Sequence, residues 1–200
     1  MKIVVLADDA AFETLKKTNS SALWVKVESI AAFTEYSDAD AFFNLLPDAG
    51  MAKYPETIQP VFINSVVHIP DACQGIIRIN GWNGFIENTC WEAAGLINEK
   101  ALTVCSFLNK KIIETANEPG FISARIIAMI INEAFYAKAE DVSSEEAIDT
   151  AMKMGTHYPY GPFEWAKKIG VHNIYELLQV LSAKDKRYLP SPLLAQSITS

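Results

Sequence analysis

Residues 1–17 read MKIVVLADDAAFETLKK. Lys2–Leu6 is a short β-branched, apolar run, and Ala10–Lys17 is a helical segment. A strand running straight into a helix is how a nucleotide-binding βα unit opens. Such a unit needs glycines at its turn, so that backbone N–H groups can approach a pyrophosphate at the helix N-terminus. Here the turn reads Ala7-Asp8-Asp9-Ala10-Ala11, and the first glycine in the chain is Gly50. Asp8 and Asp9 place negative charge where a pyrophosphate would sit, and like charges repel the ligand. The stretch predicts the fold of a dinucleotide-binding unit whose phosphate turn is not usable.

Further short apolar runs follow. Ala22–Val27 (ALWVKV), Asp40–Leu46 (DAFFNLL), Val61–Ser65 (VFINS), Gly75–Asn80 (GIIRIN), Thr89–Ala94 and Lys111–Thr115 (KIIET) read as strands. Asn98–Asn109 has helical spacing. Short apolar runs joined by brief helices predict a mainly parallel α/β sheet.

The pattern changes at Asn117-Glu118-Pro119-Gly120, and no β-rich run appears beyond it. Phe121–Ala139 reads as one long helix, apolar except for a stripe near Arg125, Asn132, Glu133 and Lys138. So apolar a helix needs cover on more than one face, and a second subunit is a candidate for that cover. Ser143-x-x-Glu146 is a capping box opening a helix to about Met154. Pro162 suits a first helical position, so Phe163–Ile169 is a short helix ending at Gly170. His172–Ala183 is a further helix, and Leu189-Pro190-Ser191-Pro192 is extended. The expected layout is an α/β domain over residues 1–117 and an all-helical domain over residues 118–200.

The chain has 200 residues, half of them hydrophobic, which is a globular balance. A net charge of −7 with no basic run argues against nucleic acid as a partner. The longest purely apolar run, Ile126–Ile131, is far short of the ~20 residues that span a bilayer. Cys73, Cys90 and Cys105 are odd in number and widely spaced, so they predict neither a metal site nor a disulfide framework. Buried thiols in a reducing cytoplasm are the expectation. His68, His157 and His172 are scattered, and a structural or surface role is expected for His157.

The segments Asn117–Ile122, Glu145–Gly155 and Tyr158-Pro159-Tyr160-Gly161-Pro162-Phe163-Glu164 carry a resemblance. In order and in spacing they are similar to the C-terminal domain of the L-3-hydroxyacyl-CoA dehydrogenase family: a PGF helix, an E-D-I-D-x-A-M-x-x-G helix and a P-M-G-P-F/L-E turn. Pro190-Ser191-Pro192-Leu193-Leu194 also resembles the family. In the first half the resemblance is fainter. Gly75–Gly84 stands where the family has G-L-H-F-F-N-P, with Asn80 at the position of the catalytic His and Asn83 at that of the family Asn. Glu92 lies twelve residues after Asn80, at the family's spacing from catalytic His to catalytic Glu. Ile63-Asn64-Ser65 is similar to the S-N-T-S-S strand end, and Asp38-Ala39-Asp40-Ala41 to an A-D-x-V strand start.

The resemblance implies a Rossmann-like N-terminal domain, truncated, followed by an all-α C-terminal domain. It also implies NAD-dependent oxidation at C3 of a 3-hydroxyacyl-CoA, with a His as base and a Glu orienting it. Several of the implied residues differ here. Asn80 cannot take up a proton near neutral pH. Ala124 stands where the PGF helix carries a substrate-binding Asn, and Ser123 beside it points about 100° away around a helix. Ser65 is the candidate for the strand-end hydroxyl, and Glu92 is kept. Glu28–Ser37 is too short for the helical hairpin with which the family contacts CoA. The expectation is a cytoplasmic family member without NAD as a working cofactor, homodimeric through its helical domain. It would keep an acyl-CoA ligand or a partner role. The alternative is an active NAD-dependent oxidoreductase with an altered site, in which Glu92 or a water replaces the His.

Overall fold

A computed structural model describes residues 1–47, 49–70 and 75–198. The chain forms two compact units, Met1–Phe121 and Ile122–Ser200.

The first unit is built on seven strands: β1 (Lys2–Leu6), β2 (Leu23–Val27), β3 (Ala41–Asn44), β4 (Val61–Asn64), β5 (Ile76–Ile79), β6 (Cys90–Gly95) and β7 (Lys111–Glu114). Their order across the sheet is β2-β1-β3-β4-β5-β6-β7. Every neighbouring pair is parallel except β5 and β6. The antiparallel pair was not expected from the sequence. Its cause is the short turn between Asn80 and Thr89, which can close a hairpin but is too short for a parallel crossover.

Strands β3, β4 and β5 are buried throughout, as befits strands covered on both faces. One face packs Ile3, Val5, Phe43, Phe62, Ile77 and Trp91 against the helices α1 (Asp9–Lys16) and α2 (Glu99–Phe107). Phe43 stacks on Phe62 at 4.7 Å between ring centroids. The other face packs Val4, Phe42, Val61 and Ile63 against Phe33 and Ala49, from the 3-10 segments Ala31–Tyr36 and Ala49–Met51. Among the described residues only the β1–β2 and β6–β7 links carry an α-helix. The expected alternation of strands and helices therefore holds on one face, and turns cover the other.

The second unit contains α3 (Ser123–Ala139), α4 (Glu145–Thr156), α5 (Pro162–Ile169), α6 (Val171–Ser182) and α7 (Pro192–Gln196). Helix α3 starts two residues later than its sequence suggests, because Gly120 and Phe121 both take positive φ (88° and 48°). The cap of α4 is Ser144 and not Ser143: Ala147 N–H donates to Ser144 Oγ at 3.2 Å. The tail is extended only to Ser191, whose hydroxyl then caps α7, with Pro192 as its first residue.

The helical unit's motifs have local physical causes. Asp149 is buried, and its carboxylate accepts the N–H groups of Phe163 (2.8 Å) and Glu164 (3.1 Å). A carboxylate from α4 thus satisfies the free donors at the start of α5. A side chain at Gly161 would strike it, since a Cβ there would lie 2.4 Å from Asp149. Glu164 reaches back to Gly161 N–H (2.9 Å) and pairs with Lys153. Asn132, expected on a polar stripe, is instead buried: it donates to Leu189 C=O (2.9 Å) and accepts Ser191 N–H (2.7 Å), tying the tail to α3.

Candidate functional site

The C-terminal ends of parallel strands are where open α/β sheets bind ligands. In this unit the end of β1 leads to Asp8. Its carboxylate accepts Ala11 N–H at 2.7 Å and caps α1. Asp8 Oδ1 therefore already occupies the helix N-terminus, where donors and dipole would meet a phosphate. Next to it, exposed Asp9 pairs with Lys26 of β2, and that hydrogen bond holds the Asp9 carboxyl below its ordinary range and the Lys26 ammonium above its own. A dinucleotide pyrophosphate brought to this turn meets the Asp8 carboxylate and finds no glycine, so the residues present do not fit it. Glu28, immediately after β2, stands where such sheets place the acid that binds a ribose. The sequence reading passed over it.

Three asparagines stand at the ends of β3, β4 and β5. Asn44, Asn64 and Asn80 are all buried, and the strand register staggers them by one residue each. Asn44 donates to Tyr54 Oη (2.8 Å) and accepts Leu46 N–H (3.1 Å). Burial pushes the Tyr54 hydroxyl up to about 12. Asn64 donates to Leu45 C=O (3.4 Å), and Gly81 lies against it so closely that a Cβ there would sit 2.8 Å from the Asn64 side chain.

The twelve-residue spacing between Asn80 and Glu92 becomes a direct contact. The antiparallel β5–β6 register carries them opposite one another, and Asn80 N–H donates to Glu92 C=O at 3.2 Å. Asn80 Nδ2 donates to Glu92 Oε2 at 3.4 Å, a long hydrogen bond. Glu92 is half-buried. The Asn80 carboxamide directs an N–H at the carboxylate and has no proton-accepting role near neutral pH.

The other implied residues are dispersed. The Ser65 hydroxyl is buried and donates to His68 C=O, while its carbonyl accepts Arg78 Nε–H at 3.0 Å. Asn83 is exposed in the turn after β5 and joins none of these contacts. Ala124 is fully buried on α3 in the helical unit. Cys105 is buried, and burial pushes its thiol up to about 12; Cys90 is only half-buried, against expectation, and Cys73 lies outside the described residues.

Two buried cations escaped the sequence reading. Arg78 donates to the carbonyls of Ser65, Val66 and Glu118 and to Asn117 Oδ1 (2.6 Å), and lies over the Phe121 ring at 4.9 Å. It fastens the loop after β4 to the segment after β7. Lys110 donates to Ile86 C=O (2.8 Å) and Asn88 C=O (2.7 Å), and burial lowers its pKa. Nothing in a one-dimensional pattern marks such residues, because the partners are backbone carbonyls distant in sequence.

A cavity of about 740 Å³ opens beside Ser65, lined by Met51, Lys53, Tyr54, His68, Ile69 and Ile76 among others. That volume lies within the ~300–1,000 Å³ of small-molecule sites. Among the described residues no His/Cys/Asp/Glu group could hold a metal ion, and no helix is long and apolar enough to cross a membrane.

The family model for the 3-hydroxyacyl-CoA dehydrogenase C-terminal domain matches residues 120–200. The chain is 41% identical over 99 residues to a 3-hydroxyadipyl-CoA dehydrogenase of Escherichia coli K12, covering 48% of this chain and 21% of that protein. It is 42% identical over 93 residues to a 3-hydroxybutyryl-CoA dehydrogenase of Bradyrhizobium diazoefficiens, covering 46% and 32%. The matches span only about a fifth to a third of these relatives. The crystal structure of an (S)-3-hydroxybutyryl-CoA dehydrogenase from Ralstonia eutropha has the same fold, with a TM-score of 0.70 at 18% identity, over 99% of this chain and 93% of that one. Its likeness extends the shared architecture to the α/β unit, which is Rossmann-like. The sequence likeness to 3-hydroxyacyl-CoA dehydrogenases thus lies in the helical half, where residues 120–200 match that family's C-terminal domain.

Proposed function

We propose that this chain is a 3-hydroxyacyl-CoA dehydrogenase relative without NAD-dependent catalysis of its own, keeping an acyl-CoA ligand and a homodimeric or partner role in the cytoplasm. The observation that carries this reading is the 2.7 Å bond from Ala11 N–H to Asp8. A built-in anion fills the helix N-terminus that a cofactor phosphate would need. Asn80 adds to it: loss of a general base alone costs on the order of 10²–10⁴ in rate. Support for a retained ligand comes from the Asn80–Glu92 contact and the cavity beside Ser65. Support for a homodimer comes from the half-exposed apolar stripe on α3, with Ile126 51% exposed.

One observation favours the alternative, a working oxidoreductase with an altered site: Glu28 at the tip of β2 keeps the position of a ribose-binding acid. Calorimetric titration with NADH, repeated with acetoacetyl-CoA present, separates the two. Heat from the CoA ester without heat from NADH supports the first reading. NADH-dependent reduction of acetoacetyl-CoA supports the second.

A further inference from the structure

The doubly wound order of a dinucleotide-binding sheet continues with another strand beyond the second. Here, among the described residues, no strand lies beyond β2. The chain from Glu28 to Asp40 holds only the 3-10 segment Ala31–Tyr36 before it returns as β3 beside β1. Strand β2 is therefore an edge strand, yet four of its five residues, Leu23, Trp24, Val25 and Val27, are apolar, and Leu23 is 60% exposed. Natural edges are usually guarded by charge, proline or a bulge. The only charged side chain on β2 is Lys26, and its ammonium is engaged by Asp9 of the same chain. The opposite edge, β7, reads KIIE and exposes both Lys111 and Glu114.

The open hydrogen-bonding groups can be assigned. Leu23 N–H donates to Met1 C=O at 2.9 Å, so Leu23, Val25 and Val27 bond toward β1. The backbone groups of Trp24 and Lys26 then face outward, because direction alternates along a strand.

We propose that β2 pairs antiparallel with β2 of a second copy about a two-fold axis at Val25. This register sets Trp24 opposite Lys26 of the copy, and both residues present outward-facing groups, so the two ends of the pair exchange complete hydrogen-bonded rings. Leu23 then meets Val27, and Val25 meets itself. No like charges oppose one another: Lys26 faces an indole, and Glu28 faces Ala22. Sliding the register by two residues sets Lys26 against Lys26, a like-charge pair that costs stability. The surface is separate from the α3 stripe, so it stands whether or not the helical half also dimerises.

The test is sedimentation of the full chain beside its Lys26→Pro variant. The Lys26 N–H faces away from β1, so proline there removes the intermolecular bond and spares the β1 ladder. The expected result is a fall in mass by at least half, with an unchanged circular dichroism spectrum. A second variant keeps the test decisive if proline unfolds the strand. Val25→Cys, facing itself across the axis, is expected to form a covalent dimer under mild oxidation, whereas Leu23→Cys and the parent chain do not. An unchanged mass for Lys26→Pro, or the absence of a Val25→Cys dimer, overturns the proposal.

Discussion

The two units use their polar residues differently. In the helical unit, Asp149, Glu164, Ser144, Asn132 and Ser191 bond to backbone groups or ion partners of the same unit, and each contact shapes a turn or a helix start. In the α/β unit the polar residues at several strand ends are likewise bonded within the unit, whether buried like Ser65 and Asn44 or exposed like Asp8. Asp8 caps its own helix, the Ser65 hydroxyl serves a neighbouring carbonyl, and Asn44 holds Tyr54. In the helical unit these contacts build turns and helix starts. In the α/β unit they engage the polar groups at the ends of the strands. Polar side chains committed to backbone partners are stable and poorly available for chemistry.

Substitutions sharpen that contrast. The largest loss is expected for Asp149→Ala, which strands the buried Phe163 N–H and the half-buried Glu164 N–H at the start of α5 and costs about 4 kcal/mol. Urea unfolding followed by far-UV circular dichroism measures it, and Asp149→Asn should recover part of the loss. Arg78→Met is expected to cost about 3 kcal/mol, because the carbonyls of Ser65, Val66 and Glu118 lose their buried donor. A loss below about 1 kcal/mol would show that water replaces the guanidinium. Asp8→Ala is expected to cost about 1 kcal/mol as a lost helix cap. Asn80→His is expected to change stability by less than that and, by itself, to restore no NADH-dependent reduction of acetoacetyl-CoA. Activity in that single variant would mean that the turn at Asp8 admits the cofactor.

The smallest expected effect is on pH dependence. Cys105 and Tyr54 both have folded-state pKa values raised to about 12. Their protons are held in the folded chain and released in the unfolded one between about pH 9 and 12. Their contribution is complete below pH 9 and is lost as pH rises through that window. Denaturant midpoints should fall across it, and Cys105→Ala should flatten the fall.

Much of the fold was legible because most of the strands are β-branched or aromatic runs bounded by turn residues, and their places need only local reading. The antiparallel β6 was not, since direction depends on the length of one turn. The Asn80–Glu92 contact was legible only through the resemblance, as a spacing of twelve residues has no meaning until a hairpin folds it. Asp8 was read as a charge repelling a phosphate, whereas its bond to Ala11 makes it the occupant of that position. Asn44, Asn64 and Arg78 were missed because their partners lie one or more strands away.

The most direct measurement is a calorimetric titration of the full chain with NADH. No saturable heat up to millimolar NADH is the predicted result, given the Asp8 carboxylate at the N-terminus of α1. Saturable binding at micromolar NADH would contradict it and would place a working cofactor site in this sheet.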